Sequence, residues 1–96
     1  MQDLERQLAA LEEFKNFLEN FREEIGDKLI AYSNKSLSLR ENGVAVQIAD
    51  FYMSNFCEPN TAVLHNLKEN IAERDLAYVK ENIAITIEAI GRASRG

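Results

Sequence analysis

Two side chains in this 96-residue chain are of the types that could act as a nucleophile and a base. Cys57 is the single cysteine and His65 the single histidine, and a thiolate beside an imidazole can carry nucleophilic catalysis. Pro59 lies between them, and neither residue belongs to a sequence motif of a known nucleophile. We therefore expect no catalytic residues and no enzyme. Cys57 is expected to pack as a small apolar residue, with pairing to another chain as the alternative.

Metal and phosphate binding find no better support in the sequence. One Cys and one His cannot complete a four-ligand zinc site, and the three residues before His65 are apolar, so the Glu-x-x-His motif of di-iron bundles is absent. The adjacent acids Glu12 and Glu13 point in different directions on a helix, as on a solvated face. Gly26 and Gly43 are isolated, which excludes a glycine-rich phosphate loop. We expect no metal, no cofactor and no small-molecule substrate.

Apolar residues repeat every seven positions, and this spacing predicts long helices with apolar seams. The first ladder contains Leu4, Leu11, Leu18, Ile25 and Tyr32. The second ladder contains Leu64, Ile71, Tyr78 and Ile85. One Pro and four Gly are too few for a sheet protein with many tight turns. We predict an all-α fold, either an antiparallel helical hairpin or a small three-helix bundle.

Breaker residues divide the predicted fold into elements of one domain. We expect a helix over about 3–40, a turn over about 41–43, a helix over about 44–57 and a helix over about 60–91. The turn is placed at Asn42 and Gly43, because glycine accepts the left-handed conformation that closes a helix. Pro59 lacks an N–H and restricts Glu58, so the second long helix should be kinked or broken near Pro59.

Charge and hydropathy limit the partners and the location. The net charge is −5, and residues 1–30 carry eight acidic against four basic residues, whereas nucleic-acid binding needs a basic surface. No apolar run reaches the roughly 18 residues of a membrane-spanning helix, and the acidic, amphipathic start is unlike a signal peptide. We expect no nucleic acid and no membrane insertion. The chain should be cytoplasmic when made, and any export should use a signal-peptide-independent route.

The chain has more apolar surface than a domain of this size can cover by itself. An aromatic stretch lies beside the first ladder, and a second seven-spaced row runs through the C-terminal third. We predict that a protein partner covers both, either a helical domain with an apolar surface or a second copy of this chain. The predicted interface residues are Phe14, Phe17, Phe21, Leu76, Ile83 and Ile90.

The residues around the predicted turn resemble the centre of the WXG-type small helical-hairpin proteins that type VII secretion systems export. Gly43 takes the position of the motif glycine, Ala45 that of the small residue, and Phe51 that of the aromatic residue early in the second helix. The turn motif of this chain is Glu41, Asn42 and Gly43, and Glu41 stands where the family has Trp. The resemblance implies two long antiparallel helices.

Two more positions depart from the pattern of that family. Tyr78 is followed four residues later by Asn82, where the family's export signal has Asp or Glu, and Pro59 interrupts the second helix. Small WXG-like proteins that lack one or both motifs pair with the helical N-terminal domain of a larger effector. The resemblance therefore implies a partner or chaperone for type VII secretion. The alternative is a homodimeric regulatory or antitoxin-like binding protein without a secretion role.

Overall fold

A computed structural model describes residues 2–95, and every regular element in that range is helical. The elements are α1 (Gln2–Glu41), α2 (Val46–Tyr52), α3 (Glu58–Asn70) and α4 (Leu76–Arg95). Two five-residue π-helical segments, Met53–Cys57 and Ile71–Asp75, join α2 to α3 and α3 to α4. The predicted all-α class is confirmed, in the form of a helical hairpin.

The chain reverses direction just after Gly43, where α1 ends in a Schellman motif. The N–H of Gly43 donates to the Arg40 carbonyl at 3.1 Å, and the N–H of Val44 donates to the Leu39 carbonyl at 3.0 Å. Gly43 has a φ of 87°, a left-handed conformation that glycine adopts without steric strain. The sequence signal at Asn-Gly thus corresponds to a complete helix C-cap.

The returning helical segment continues through Pro59 without a break. Glu58 keeps right-handed helical dihedrals (φ −62°, ψ −47°), and its N–H donates to the carbonyl of Met53, five residues earlier. Pro59 follows directly, in the first turn of α3. A wider turn in the hydrogen-bond ladder is one of the few irregularities by which a helix accommodates an internal proline. The irregularity near Pro59 is therefore a π-helical turn.

The described residues form two compact units. The first unit contains the described parts of Met1–Arg22 and Asn70–Gly96, and the second unit is Glu23–Glu69. In each unit, a part of α1 packs against a part of the returning helical segment. The single domain expected from the sequence thus contains two packing units.

The inward positions of α1 follow one uninterrupted pattern. Buried and half-buried residues alternate at steps of four and three, the spacing of a heptad seam. These residues are Leu4, Leu8, Leu11, Lys15, Leu18, Arg22, Ile25, Leu29, Tyr32, Ser36 and Leu39. The inward direction of the first predicted ladder is confirmed.

The returning helical segment has the same seam with two interruptions. Its buried row is Ala49, Cys57, Leu64, Ile71, Val79 and Thr86, of which Leu64 is half-buried. The steps are seven residues within the α-helices and eight residues across each π-helical segment. A second row takes the same steps: Met53, Thr61, Lys68, Leu76, Ile83 and Ile90. Each π-helical segment therefore adds one residue, which shifts the following helix face by about 100°.

This shift makes half of the second predicted ladder wrong. Tyr78 and Ile85 are exposed, although an unbroken seven-residue repeat from Ile71 would turn them inward. Val79 and Thr86, each one residue further along, are buried instead.

The physical reason lies in the residues that accompany each possible row. The unbroken repeat would also turn Asp75 and Asn82 toward α1, and burying such polar groups without partners is unfavourable. The extra residue in Ile71–Asp75 instead turns Leu76 and Ile83 inward. On the side of the returning helical segment that faces α1, the π-helical turn thus replaces two polar residues by two aliphatic ones.

Candidate functional site

Three phenylalanine rings form an exposed stack on the first unit. The ring centroids of Phe14 and Phe17 are 6.2 Å apart, and those of Phe17 and Phe21 are 5.9 Å apart, with interplanar angles of 20° and 30°. The three residues are 49%, 57% and 38% exposed, respectively. Spacings of three and four residues bring them to one side of α1, where they stack on each other. A contiguous patch of exposed apolar rings is typical of an interaction surface, whereas single exposed apolar residues are not.

Two residues of α4 extend this surface. Tyr78 and Ile85 each directly precede a buried position of α4, just as Phe17 directly precedes the buried Leu18. In an antiparallel helix pair, residues with the same angular offset from the inward direction lie on the same side. Phe14, Phe17, Phe21, Tyr78 and Ile85 therefore share one side of the first unit, and we call this set the aromatic face.

The aromatic face includes a shallow groove on α1. Ala10, Glu13, Phe14 and Phe17 line a depression of about 400 Å³. The groove offers an apolar floor with one acidic side chain at its edge, which suits an apolar side chain of a partner.

On α4, the Arg92 guanidinium lies 3.0 Å from the Glu88 carboxylate, but both side chains are about two-thirds exposed, so the pair adds little stability.

The other three residues of the predicted interface lie on the inward side of α4. Leu76 is 1% exposed and is part of the core of the first unit, while Ile83 and Ile90 are half-buried. The seven-spaced row through these residues faces inward because the second π-helical segment shifts the register of α4. A partner cannot reach Leu76 in this conformation.

The second unit holds a polar cluster that the sequence did not reveal. The hydroxyls of Tyr32 and Tyr52 are hydrogen-bonded at 3.0 Å, and Asn60 Nδ2 donates to the Tyr32 hydroxyl at 3.2 Å. The hydrogen bond from Tyr32 is the main cause that raises the pKa of Tyr52, while the buried Ser36 hydroxyl acts in the opposite direction. The cluster links α1 with α2 and α3 at a defined register.

Cys57 and His65 line the same groove in the second unit but have different partners. The groove encloses about 400 Å³ and includes Thr61. Cys57 is buried, with its Sγ 4.0 Å from Thr61 Oγ1, whereas His65 is exposed and its Nε2 lies 3.0 Å from a Glu69 carboxylate oxygen. The histidine is therefore oriented toward an acid on its own helix rather than toward the thiol.

The turn motif lies at the end of α1. Glu41 is the last residue of this helix, and the Asn42 side-chain amide donates to the Ser38 carbonyl at 2.9 Å. Beyond the turn, Arg40 and Asp50 form an ion pair. Phe51 lies in α2 and is exposed, with its ring 6.1 Å from that of Phe56. The motif residues thus serve the chain reversal in the described structure.

Within residues 2–95, no group of three or more His, Cys, Asp or Glu side chains is placed to hold a metal ion. None of the helices in the same range combines the length and the apolar character needed to cross a membrane.

Comparison with known proteins gives no relative on which a role could be based. No protein-family model matches the chain, and neither a curated protein nor a solved structure matches it.

Proposed function

We propose that this chain is a protein-interaction module that binds a helical partner through its aromatic face. The observation that carries the proposal is the exposed stack of Phe14, Phe17 and Phe21, beside which Tyr78 and Ile85 present further apolar surface. Exposed apolar residues on the same side of two adjacent helices form a surface that suits the apolar face of a third helix or of another hairpin.

The specific form that we propose is a WXG-like partner or chaperone for type VII secretion. The support is the resemblance around Gly43 together with the helix C-cap at that glycine and the exposed Phe51 in α2. In this role, the chain would pair with the helical N-terminal domain of a larger effector. A homodimer without a secretion role is the other candidate, because an exposed apolar surface of this kind also suits a second copy.

The test is co-expression of the full chain with the helical N-terminal domains of type VII effectors from its source organism, followed by light scattering. We expect a stable complex with one effector domain. Phe17→Asp, in the centre of the aromatic face, should weaken the complex by about 2 kcal/mol or more, roughly thirtyfold in affinity. Phe56→Asp is the matched control: Phe56 is equally an exposed phenylalanine, but it lies in the second unit.

Salt dependence and self-association decide between the alternatives. Binding through apolar rings should change little between low and high salt, whereas an acidic module that masks a basic surface should lose affinity steeply. A concentration-independent dimer of the isolated chain that Phe17→Asp dissociates would support the homodimer. A monomer that binds no helical domain, or equal effects of Phe17→Asp and Phe56→Asp, would overturn the proposed interface.

A further inference from the structure

We infer that α3 has two rotational states, which exchange when the π turn at Met53–Cys57 moves along the helix. In the second state, α3 is turned by about 100° about its own axis. The argument concerns the second unit alone and does not depend on the proposed function.

The first observation is that α3 has two rows able to face α1. The row that faces inward is Cys57, Thr61 and Leu64, whereas Phe56, Val63 and Leu67 are exposed. Phe56, Val63 and Leu67 directly precede the inward positions 57, 64 and 68. The exposed row also contains Asn60, but its other three members are large apolar residues, whereas the inward row includes a thiol, a hydroxyl and the stem of Lys68.

The second observation is that the inward row depends on the position of the extra residue. Without the π turn at Met53–Cys57, the seven-residue steps from Ala49 and Met53 would bring inward Phe56, Asn60, Val63 and Leu67. When a π turn moves toward the C-terminus of a helix, only the residues over which it moves rotate. Each of these residues was C-terminal to the extra residue before the movement and is N-terminal to it afterwards. Movement toward Asn70 would therefore rotate α3 while Ala49 keeps its place.

The third observation is that α3 has no fully buried residue, while the hydrogen bond from Asn60 Nδ2 to the Tyr32 hydroxyl, at 3.2 Å, joins it to α1. A Cβ placed on Gly26 of α1 would meet only the end of the Lys68 side chain, at 3.1 Å from Nζ. Shallow grooves flank the helix on both sides, one lined by Thr61, Ala62 and Ser33, the other by Leu64 and Ala31. Rotation of α3 would break the hydrogen bond from Asn60 to Tyr32 and would move side chains of α3 into these grooves.

The two states differ in the exposure of one thiol, which makes them measurable. Cys57 is buried in the present state and would turn by about 100° toward the groove beside His65 in the other. Rotation would also hide Phe56, Val63 and Leu67 against α1. The position of the π turn thus determines whether the apolar row of α3 is exposed or is covered by α1.

The experiment is thiol labelling of the full chain with a disulfide reagent under native conditions, since Cys57 is the single cysteine. We expect labelling at least roughly tenfold faster than global unfolding allows, with little dependence on denaturant at low concentrations. Val63→Asp places a charge on the row that must become buried, so it should slow this labelling roughly tenfold or more. Val63 is exposed in the present state, so this variant should still fold.

Asn66→Asp is the matched control, because it adds the same charge to α3 at an exposed position that takes no part in either row. Its labelling rate should stay within about twofold of that of the unmodified chain. Equal labelling of the unmodified chain and Val63→Asp would overturn the inference. Labelling that follows global unfolding at all denaturant concentrations would also overturn it, whatever the variants do.

Discussion

The two units bury different kinds of side chain along their helices. The first unit buries Thr86 and four large aliphatic residues, namely Leu18, Ile71, Leu76 and Val79. The second unit buries Ile25 together with the small residues Ser36, Ala49 and Cys57.

This difference indicates two ways of stabilising a helix pair. Large aliphatic side chains contribute through the apolar area that they remove from water, which amounts to about 1.5–3 kcal/mol for each fully buried Leu, Ile or Val. Small side chains contribute less area but allow close approach, and the Tyr32–Tyr52 hydrogen bond then fixes the register of the second unit. Truncation of buried side chains should therefore destabilise the first unit most, whereas enlargement of buried side chains should destabilise the second unit most.

The largest effect should come from removing a residue of α4 within the first unit. Deletion of Glu81 shifts one side of α4 by about 100°, so that either Leu76 with Val79 or Ile83 with Ile90 loses its inward position. We expect the free energy of unfolding to fall by roughly 3–6 kcal/mol, which is the burial of two aliphatic side chains. Denaturant unfolding monitored by circular dichroism measures this change.

Deletion of Glu73 is the matched control for the deletion of Glu81. Both glutamates are exposed, but Glu73 lies in the π-helical segment Ile71–Asp75. Its removal converts the eight-residue step into a seven-residue step and leaves both inward rows in place. We expect a change within about 1 kcal/mol, and a loss as large as that from the Glu81 deletion would contradict the role of the extra residue.

Truncation of Leu76 tests the aliphatic core of the first unit directly. Leu76→Ala should lower the free energy of unfolding by about 2–5 kcal/mol, since Leu76 is the largest fully buried side chain. Leu67→Ala in the second unit makes the same chemical change at an exposed position and should cost less than about 1 kcal/mol. Similar losses for both variants would mean that Leu76 has no special place in the core.

Enlargement of Ala49 tests the close packing of the second unit. Ala49→Leu inserts three carbon atoms at a position that is 1% exposed, and overpacking of this kind costs about 1–3 kcal/mol. Ala77→Leu makes the same change at an exposed position of the first unit and should be nearly neutral. Thermal unfolding of the two variants gives the difference. If Ala49→Leu proved neutral, the helices of the second unit would not be closely packed.

The smallest effect concerns the tyrosine cluster and its pH dependence. Tyr32→Phe removes the hydroxyl that bonds Tyr52 and Asn60, and should cost about 1 kcal/mol. The raised pKa of Tyr52 means that the folded state holds this proton more tightly than the unfolded state. Its contribution is complete below the unfolded pKa of about 10 and is lost as the pH rises through the folded pKa.

Unfolding curves between about pH 8 and pH 11 check this linkage. The unmodified chain should lose more stability over that range than Tyr32→Phe, because the variant lacks the hydrogen bond that raises the pKa of Tyr52. Parallel pH profiles of the two proteins would contradict the assignment of the shift to Tyr32.

Sequence periodicity was sufficient for α1 and insufficient for the returning segment. In α1, the seven-residue repeat from Leu4 to Leu39 continues without a break, so its apolar inward residues could be predicted. The polar inward residues Lys15, Arg22 and Ser36 could not be predicted from apolar spacing. In the returning segment, the repeat skips one residue twice, and a search with a fixed period cannot detect a skip. Asp75 and Asn82 are the sequence signal for this skip. They show that the unbroken seven-residue row continues through polar residues, while an apolar row with the same spacing lies beside it, and this combination indicates a shifted register.

The residues of the candidate site differ in the same way in how well the sequence predicted their exposure. Phe14, Phe17 and Phe21 lie on α1 and were predicted to face a partner, and they are exposed. Tyr78 and Ile85 lie beyond the second π-helical segment, and their exposure followed only from the register that the structure shows. The tyrosine cluster could not be predicted, because it joins side chains that are far apart in sequence and because the placement of Asn60 depends on the first π turn.

The chain reversal at Gly43 has a consequence for the order of folding. The second unit, Glu23–Glu69, is one continuous stretch around the reversal, whereas the two stretches of the first unit are separated by that whole segment. Closing a short loop loses less chain entropy than closing a long one, and contacts that are near in sequence form faster. The small-residue core should therefore be present in the transition state, while the aliphatic core forms after it. Mutations in the first unit should then mainly accelerate unfolding, and those in the second should mainly slow folding.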